Sequence, residues 1–172
     1  MDFNRGLTEK RLGYGAGQTY SAIGLMIDGE RTEFALVKGG FGPRVGGQVA
    51  VKSGASDTVQ SYEDFDSAVK AYNEEFAPFL IGKKVRLTKD CGSRVIGSIP
   101  PGLTGTVSGI DGYIIAVTLD ERVDALDEWE NDLHFSAEGW TDWDGKEILT
   151  IEDFLTSVDF IDGTVSEVSD DE

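Results

Sequence analysis

Few side chains in this sequence combine types and spacing that could do chemistry, and those that do are mostly acids. There is one histidine, His134, and one cysteine, Cys91. A protein nucleophile needs a base beside it, and neither residue sits in a recognisable nucleophile context. A structural zinc site takes four Cys or His ligands, so this pair cannot supply one and no metal is expected. His134 lies between Leu133 and Phe135 in a stretch that reads as a strand, which turns it away from both apolar neighbours.

Glu128, Glu130 and Asp132 alternate, so in a strand they share one face. Acid–base catalysis by paired carboxylates requires an apolar pocket that raises one pKa, and no such pocket is legible here. Asp142-Trp143-Asp144-Gly145 hints at a calcium loop. Placing Gly145 at loop position six puts Trp140 at position one and Ile151 at position twelve, where oxygen ligands are required. The motif therefore reads as an acidic turn. The glycine-rich stretch 39–47, with Arg44, has the composition of a phosphate cradle. A P-loop, however, continues at once into Lys-Ser/Thr and a helix. Here Gln48-Val49-Ala50-Val51 follows and reads as a strand, so a hairpin connection is expected. No catalytic residue and no cofactor is expected, and the chain does not read as an enzyme.

What remains is acid combined with aromatic. Residues 1–119 hold 13 acids and 13 bases, whereas residues 120–172 hold 19 acids and only Arg122 and Lys146. The whole net charge of −17 thus falls in the last third of the chain. Charge segregated in this way produces a directed field. It disfavours nucleic acid as a direct ligand of that region, because phosphates are repelled. A basic protein surface is the natural partner. The candidate binding residues are Asp120, Glu121, Asp124, Asp127, Glu128, Glu130 and Asp132 for the charge, with Trp129, Trp140 and Trp143 as anchors. Duplex DNA carries one charge per roughly 1.7 Å of axis, so seventeen charges correspond to about 29 Å, or eight to nine base pairs.

The elements that must position these residues follow from periodicity. Residues 1–18, with Gly13, Gly15 and Gly17, read as a flexible arm without the apolar centre of a signal peptide. Residues 19–28 and 31–38 read as strands joined at Gly29-Glu30, and a third strand lies near 48–52. Phe65, Ala68, Val69, Tyr72 and Phe76 recur at helical spacing, with Asp64 or Asp66 as cap and Pro78 marking the end. This gives a module over 19–80, three strands with one packed helix. A second module over 81–136 holds strands at 83–89, 104–108, 113–119 and 133–135, with a hairpin about Ile110-Asp111-Gly112. Residues 137–172 read as an acidic segment, with a short helix over 147–158 capped by Thr150 and a disordered end. The expected fold class is α+β: antiparallel strands with one packed helix, then a small five-stranded or four-stranded barrel and a short C-terminal helix.

Gly82-Lys83-Lys84-Val85-Arg86-Leu87 followed by Ile99-Pro100-Pro101-Gly102-Leu103-Thr104-Gly105-Thr106-Val107 resembles the SH3-like, KOW-type small barrels. Val117-Thr118-Leu119-Asp120 and the stretch 129–133 fit later strands of such a barrel. The resemblance covers about a third of the chain and includes families common in phages and mobile elements, which implies such an origin. Small barrels host many functions, so it implies fold rather than activity. The stretch 40–47 with Ala68 and Phe76 is similar, more faintly, to WGR domains, although their signature tryptophan is absent.

The lone cysteine points to a reducing, cytoplasmic setting, and no apolar run reaches the roughly 18 residues of a membrane helix. The reading that follows is a non-enzymatic interaction protein that competes, as a DNA mimic or inhibitor, at the basic surface of a nucleic-acid-binding protein. Two alternatives stand beside it. One is a virion or assembly component with a solubilising acidic tail. The other has Arg31, Lys38, Arg44 and Lys52 binding nucleic acid or a ligand, with the acidic part autoinhibitory.

Overall fold

The computed structural model describes residues 18–39, 46–93, 96–136, 150–161 and 165–167. These fall into two compact units, one within Met1–Glu75 and Thr164–Glu172, the other within Phe76–Gly163. Among the described residues no helix is long and apolar enough to cross a membrane.

The first unit contains β1 (Gln18–Ile27), β2 (Glu30–Lys38), β3 (Gly47–Ser53), β4 (Ser56–Tyr62), helix α1 (Phe65–Glu75) and, from the far end of the chain, β10 (Val165–Glu167). They form one antiparallel sheet in the order β10-β1-β2-β3-β4. Ile27 pairs with Glu30, so the first hairpin turns on Asp28-Gly29, one residue earlier than expected. Both turn residues have positive φ, as a two-residue type I′ turn demands. Lys38 pairs with Gly47, and the Gly39 N–H donates to the Gly46 carbonyl at 3.0 Å, closing the base of the glycine-rich connection as a hairpin. Asp64 caps α1 by accepting the Ser67 N–H at 2.7 Å. Ala68, Val69 and Tyr72 of α1 are buried, and Tyr72 shares a 3.1 Å hydroxyl hydrogen bond with Ser21 of β1.

The second unit opens with α2 (Ala77–Leu80), in which Pro78 occupies the first turn. Pro78 therefore starts a new short helix rather than merely ending the previous one, consistent with proline's fixed φ and missing N–H. Then come β5 (Lys84–Leu87), β6 (Thr104–Asp111), β7 (Ile114–Leu119), a 3-10 helix (Asp124–Trp129), β8 (Asp132–Ser136), α3 (Thr150–Ser157) and β9 (Val158–Phe160). The sheet order is β8-β7-β6-β5-β9, antiparallel throughout. Its core is aliphatic: Val85, Leu87, Val107, Ile115, Val117 and Leu133 are all buried. Phe154 of α3 packs edge-on against Phe135 of β8, with ring centroids 5.2 Å apart.

These observations correct the expected α+β class. The regular structure is predominantly antiparallel β, in two five-stranded sheets, and the helices are short. The first sheet has five strands instead of three, because β4 and β10 are added to its edges. The second is not closed into a barrel by any pairing between β8 and β9 among the described residues. Nor does the stretch 137–172 stand apart, since it supplies β9 to one sheet and β10 to the other. Thr150 is the first residue of α3, residues 147–149 of the expected helix lie outside the described residues, and the Thr150 hydroxyl donates to the Tyr113 carbonyl at 3.1 Å.

Candidate functional site

The acidic residues singled out in the sequence gather on the connection between β7 and β8. β7 ends at Leu119 and β8 starts at Asp132, so the loop must leave one strand and return to pair with it antiparallel. A single side chain organises that return. The Asn131 amide donates to the carbonyls of Leu119 at 2.9 Å and Glu121 at 2.8 Å, while its oxygen accepts the Val123 N–H at 2.8 Å. The Asn131 N–H also donates to the Leu126 carbonyl at 3.0 Å. Leu126 is fully buried and anchors the 3-10 helix. Glu130 and Asn131 both have positive φ, 56° and 65°, a conformation that Asn tolerates better than most residues.

This geometry corrects the expected alternation of Glu128, Glu130 and Asp132. Only Asp132 belongs to a strand; Glu128 sits in the 3-10 helix and Glu130 caps it in the left-handed region. The acids nonetheless point outward. Asp120, Glu121, Asp124, Asp127, Glu128 and Glu130 are all exposed, and Asp132 is half-buried.

Their chemical situations differ. Asp120 accepts the Thr104 hydroxyl at 2.7 Å and lies 3.6 Å from the Lys84 ammonium. Asp132 accepts the Thr118 hydroxyl. Arg122, the one base in the loop, forms a bidentate pair with Asp127 at 2.7 and 3.0 Å and approaches Asp124 at 3.7 Å. Those hydrogen bonds hold the Asp127 carboxyl below its usual range and raise Arg122 further. Glu121, Glu128 and Glu130 form no ion pair with another described residue.

Trp129 ends the 3-10 helix between Glu128 and Glu130 and remains 43% exposed. Its indole stacks on the His134 imidazole, with centroids 6.3 Å apart and planes 20° from parallel. His134 projects from β8 on the exposed face, while Leu133 and Phe135 are buried. Trp140 and Trp143 lie outside the described residues.

Beside this stack lies an open groove of about 780 Å³, lined by Trp129, His134, Phe135, Cys91, Lys89 and Asp153 among others. Sequence reasoning paired Cys91 with His134 only by elimination, and the structure places both on this groove. Burial pushes the Cys91 thiol up to about 11, so it is protonated at neutral pH and a weak nucleophile. The neighbouring loop is organised by Asp90, whose carboxylate accepts the N–H groups of Gly92 at 2.8 Å and Ile99 at 3.0 Å and the Ser98 hydroxyl. These bonds, the Ser98 one foremost, hold the Asp90 carboxyl below its usual range. Among the described residues, no group of three or more His, Cys, Asp or Glu side chains could hold a metal ion.

The candidate cations of the first unit are partly engaged. Arg31 pairs with Glu33 at 3.2 Å, and the Lys38 ammonium lies 4.8 Å from the Phe65 ring centroid. Arg44 lies outside the described residues. Sequence reasoning missed Asn131, Asp90 and the groove. An Asn one residue before a strand was the only available signal for the first.

The chain matches no protein-family model, no curated protein and no solved structure. The likeness to SH3-like barrels and to WGR domains therefore rests on the residues quoted above.

Proposed function

We propose that the protein is a non-enzymatic binding protein whose β7–β8 loop presents a carboxylate-rich, tryptophan-tipped surface to a basic patch on a nucleic-acid-binding protein. The observation that carries this reading is Trp129, exposed at the loop's end between two glutamates that have no described ion-pair partner. A large indole left in solvent amid charges gains by being covered, and tryptophan is enriched among the residues that dominate interface energies. The surrounding acids steer a basic partner toward it and disfavour an acidic one. Seven acids against one base over residues 120–132 give a net charge of 1 − 7 = −6 on this loop. A partner held there loses access to nucleic acid through the same basic patch, so competition is the expected consequence.

The test is capture from a lysate followed by competition. The immobilised protein is exposed to lysate at about 0.1 M salt, where charges act over roughly 10 Å. Retained proteins are then challenged separately with high salt and with duplex DNA. A stoichiometric nucleic-acid-binding protein released by both treatments supports the reading. Retention that duplex DNA does not disturb contradicts competition at a shared surface.

A further inference from the structure

The groove next to Trp129 has a volume of about 780 Å³, within the roughly 300–1,000 Å³ typical of small-ligand sites. Its lining is neither purely apolar nor uniformly charged. The Trp129–His134 stack offers an aromatic face, and Lys89, Asp90 and Asp153 carry its charge. Asp90 is already occupied by Gly92, Ile99 and Ser98. Asp153 is the acceptor that remains. Its ion pair with Lys89 is long, 3.5 Å, and both side chains are about half exposed. Exposed pairs of this kind are weak, so Lys89 can give way to a better-placed cation.

The chemistry of the occupant follows from these two features. The face of an indole attracts cations more strongly than that of the other aromatic side chains. Glu128 and Glu130, on either side of Trp129 in the chain, add to that attraction. A lysine ammonium can sit over a ring or meet a carboxylate, but its charge is a strongly hydrated point. A guanidinium stacks flat on a ring while its N–H edge engages a carboxylate in two parallel bonds.

We propose that the groove seats an arginine side chain of the basic partner, its guanidinium over the Trp129–His134 stack and its N–H edge toward Asp153. This rests on the proposed function and adds to it a preference for arginine over lysine. The acids of the loop supply long-range attraction without distinguishing the two cations; the groove distinguishes them.

The full chain, labelled for NMR, is titrated at low salt with octa-arginine and, separately, octa-lysine. Both peptides bind in a salt-sensitive manner, and octa-arginine binds about fivefold more tightly or better, the scale of one stacked cation. Octa-arginine alone shifts the resonances of the Trp129 indole N–H, His134 and Cys91. Trp129→Leu and Asp153→Asn each abolish the arginine preference, so that each variant binds octa-arginine no more tightly than octa-lysine, and each keeps the wild-type fold because both side chains are exposed. Equal affinities for the two peptides, or a preference that survives Trp129→Leu, overturn the groove assignment and leave the acidic surface standing. Binding of neither peptide removes the acidic reading and this inference with it.

Discussion

In the loop from Lys89 to Ile99 a carboxylate holds the backbone together, whereas in the loop from Asp120 to Asn131 a neutral amide does so and the carboxylates are left outside. Asp90 spends its charge inward, on two N–H groups and a hydroxyl. Asn131 carries no charge and makes three side-chain hydrogen bonds to the backbone of its own loop. Three of the acids that the second loop displays, Glu121, Glu128 and Glu130, therefore have no ion-pair partner among the described residues. Like charges placed close together raise the energy of a folded chain. Under the proposed function, the charges without an ion-pair partner are the ones that meet the basic surface.

That contrast is broken most severely at Asn131. Asn131→Ala removes three hydrogen bonds and leaves alanine in a left-handed conformation that asparagine tolerates better. A loss of about 2–3 kcal/mol of stability is expected from the bonds and the backbone strain together. Thermal denaturation followed by circular dichroism reads it. If Asn131→Ala melts with wild-type, the amide is not what organises the loop.

Acid separates the two loops next. Asp90 has a folded-state carboxyl held below the ordinary value of 3.8, chiefly by its hydrogen bond from Ser98. Its contribution is therefore fully present above the unfolded-state pKa and is lost as pH falls through the lower folded-state value. Protection of the Gly92 and Ile99 amides, taken relative to their intrinsic exchange rates, should hold until the pH drops below that ordinary value and then fall. Asp90→Asn should flatten this dependence. Asn131 has no titrating group, so the hydrogen bonds it makes to Leu119, Glu121 and Val123 should show no such transition of their own.

The smallest effect on stability should come from the most conspicuous charges. Glu121, Glu128 and Glu130 replaced together by Gln should shift the melting temperature by no more than about 3 °C, as expected for surface positions without defined partners. A substantial fall would mean that these carboxylates have a structural role.

How far the sequence alone could reach differs along the chain. β1 is legible because Ile23, Leu25 and Ile27 alternate, and α1 because Ala68, Val69 and Tyr72 recur at helical spacing. β4 is not legible. Ser56–Tyr62 is exposed almost throughout, and as an edge strand it is held through backbone pairing with β3, which leaves no apolar pattern to read. β9 and β10 have three residues each, too short for any periodicity, and their partners β5 and β1 are distant in sequence. This is why a mainly antiparallel fold was read as α+β. At the site, the cluster of acids was visible in composition, but the alternation of Glu128, Glu130 and Asp132 mimicked a strand. The 3-10 turn and two left-handed residues that occupy the stretch depend on Asn131 reaching back to Leu119, a contact that no local pattern records. The groove was invisible because it joins residues from Lys89 to Ser157.

The central claim is that the charges of the β7–β8 loop serve association and not folding. The most direct measurement is the association rate of a captured partner as a function of salt, for wild-type and for the Glu121, Glu128 and Glu130→Gln protein. Steered association slows steeply as salt rises. The triple variant should associate more slowly at low salt, with a distinctly shallower salt dependence and a melting temperature within about 3 °C of wild-type. Identical rates and slopes for the two proteins would contradict it.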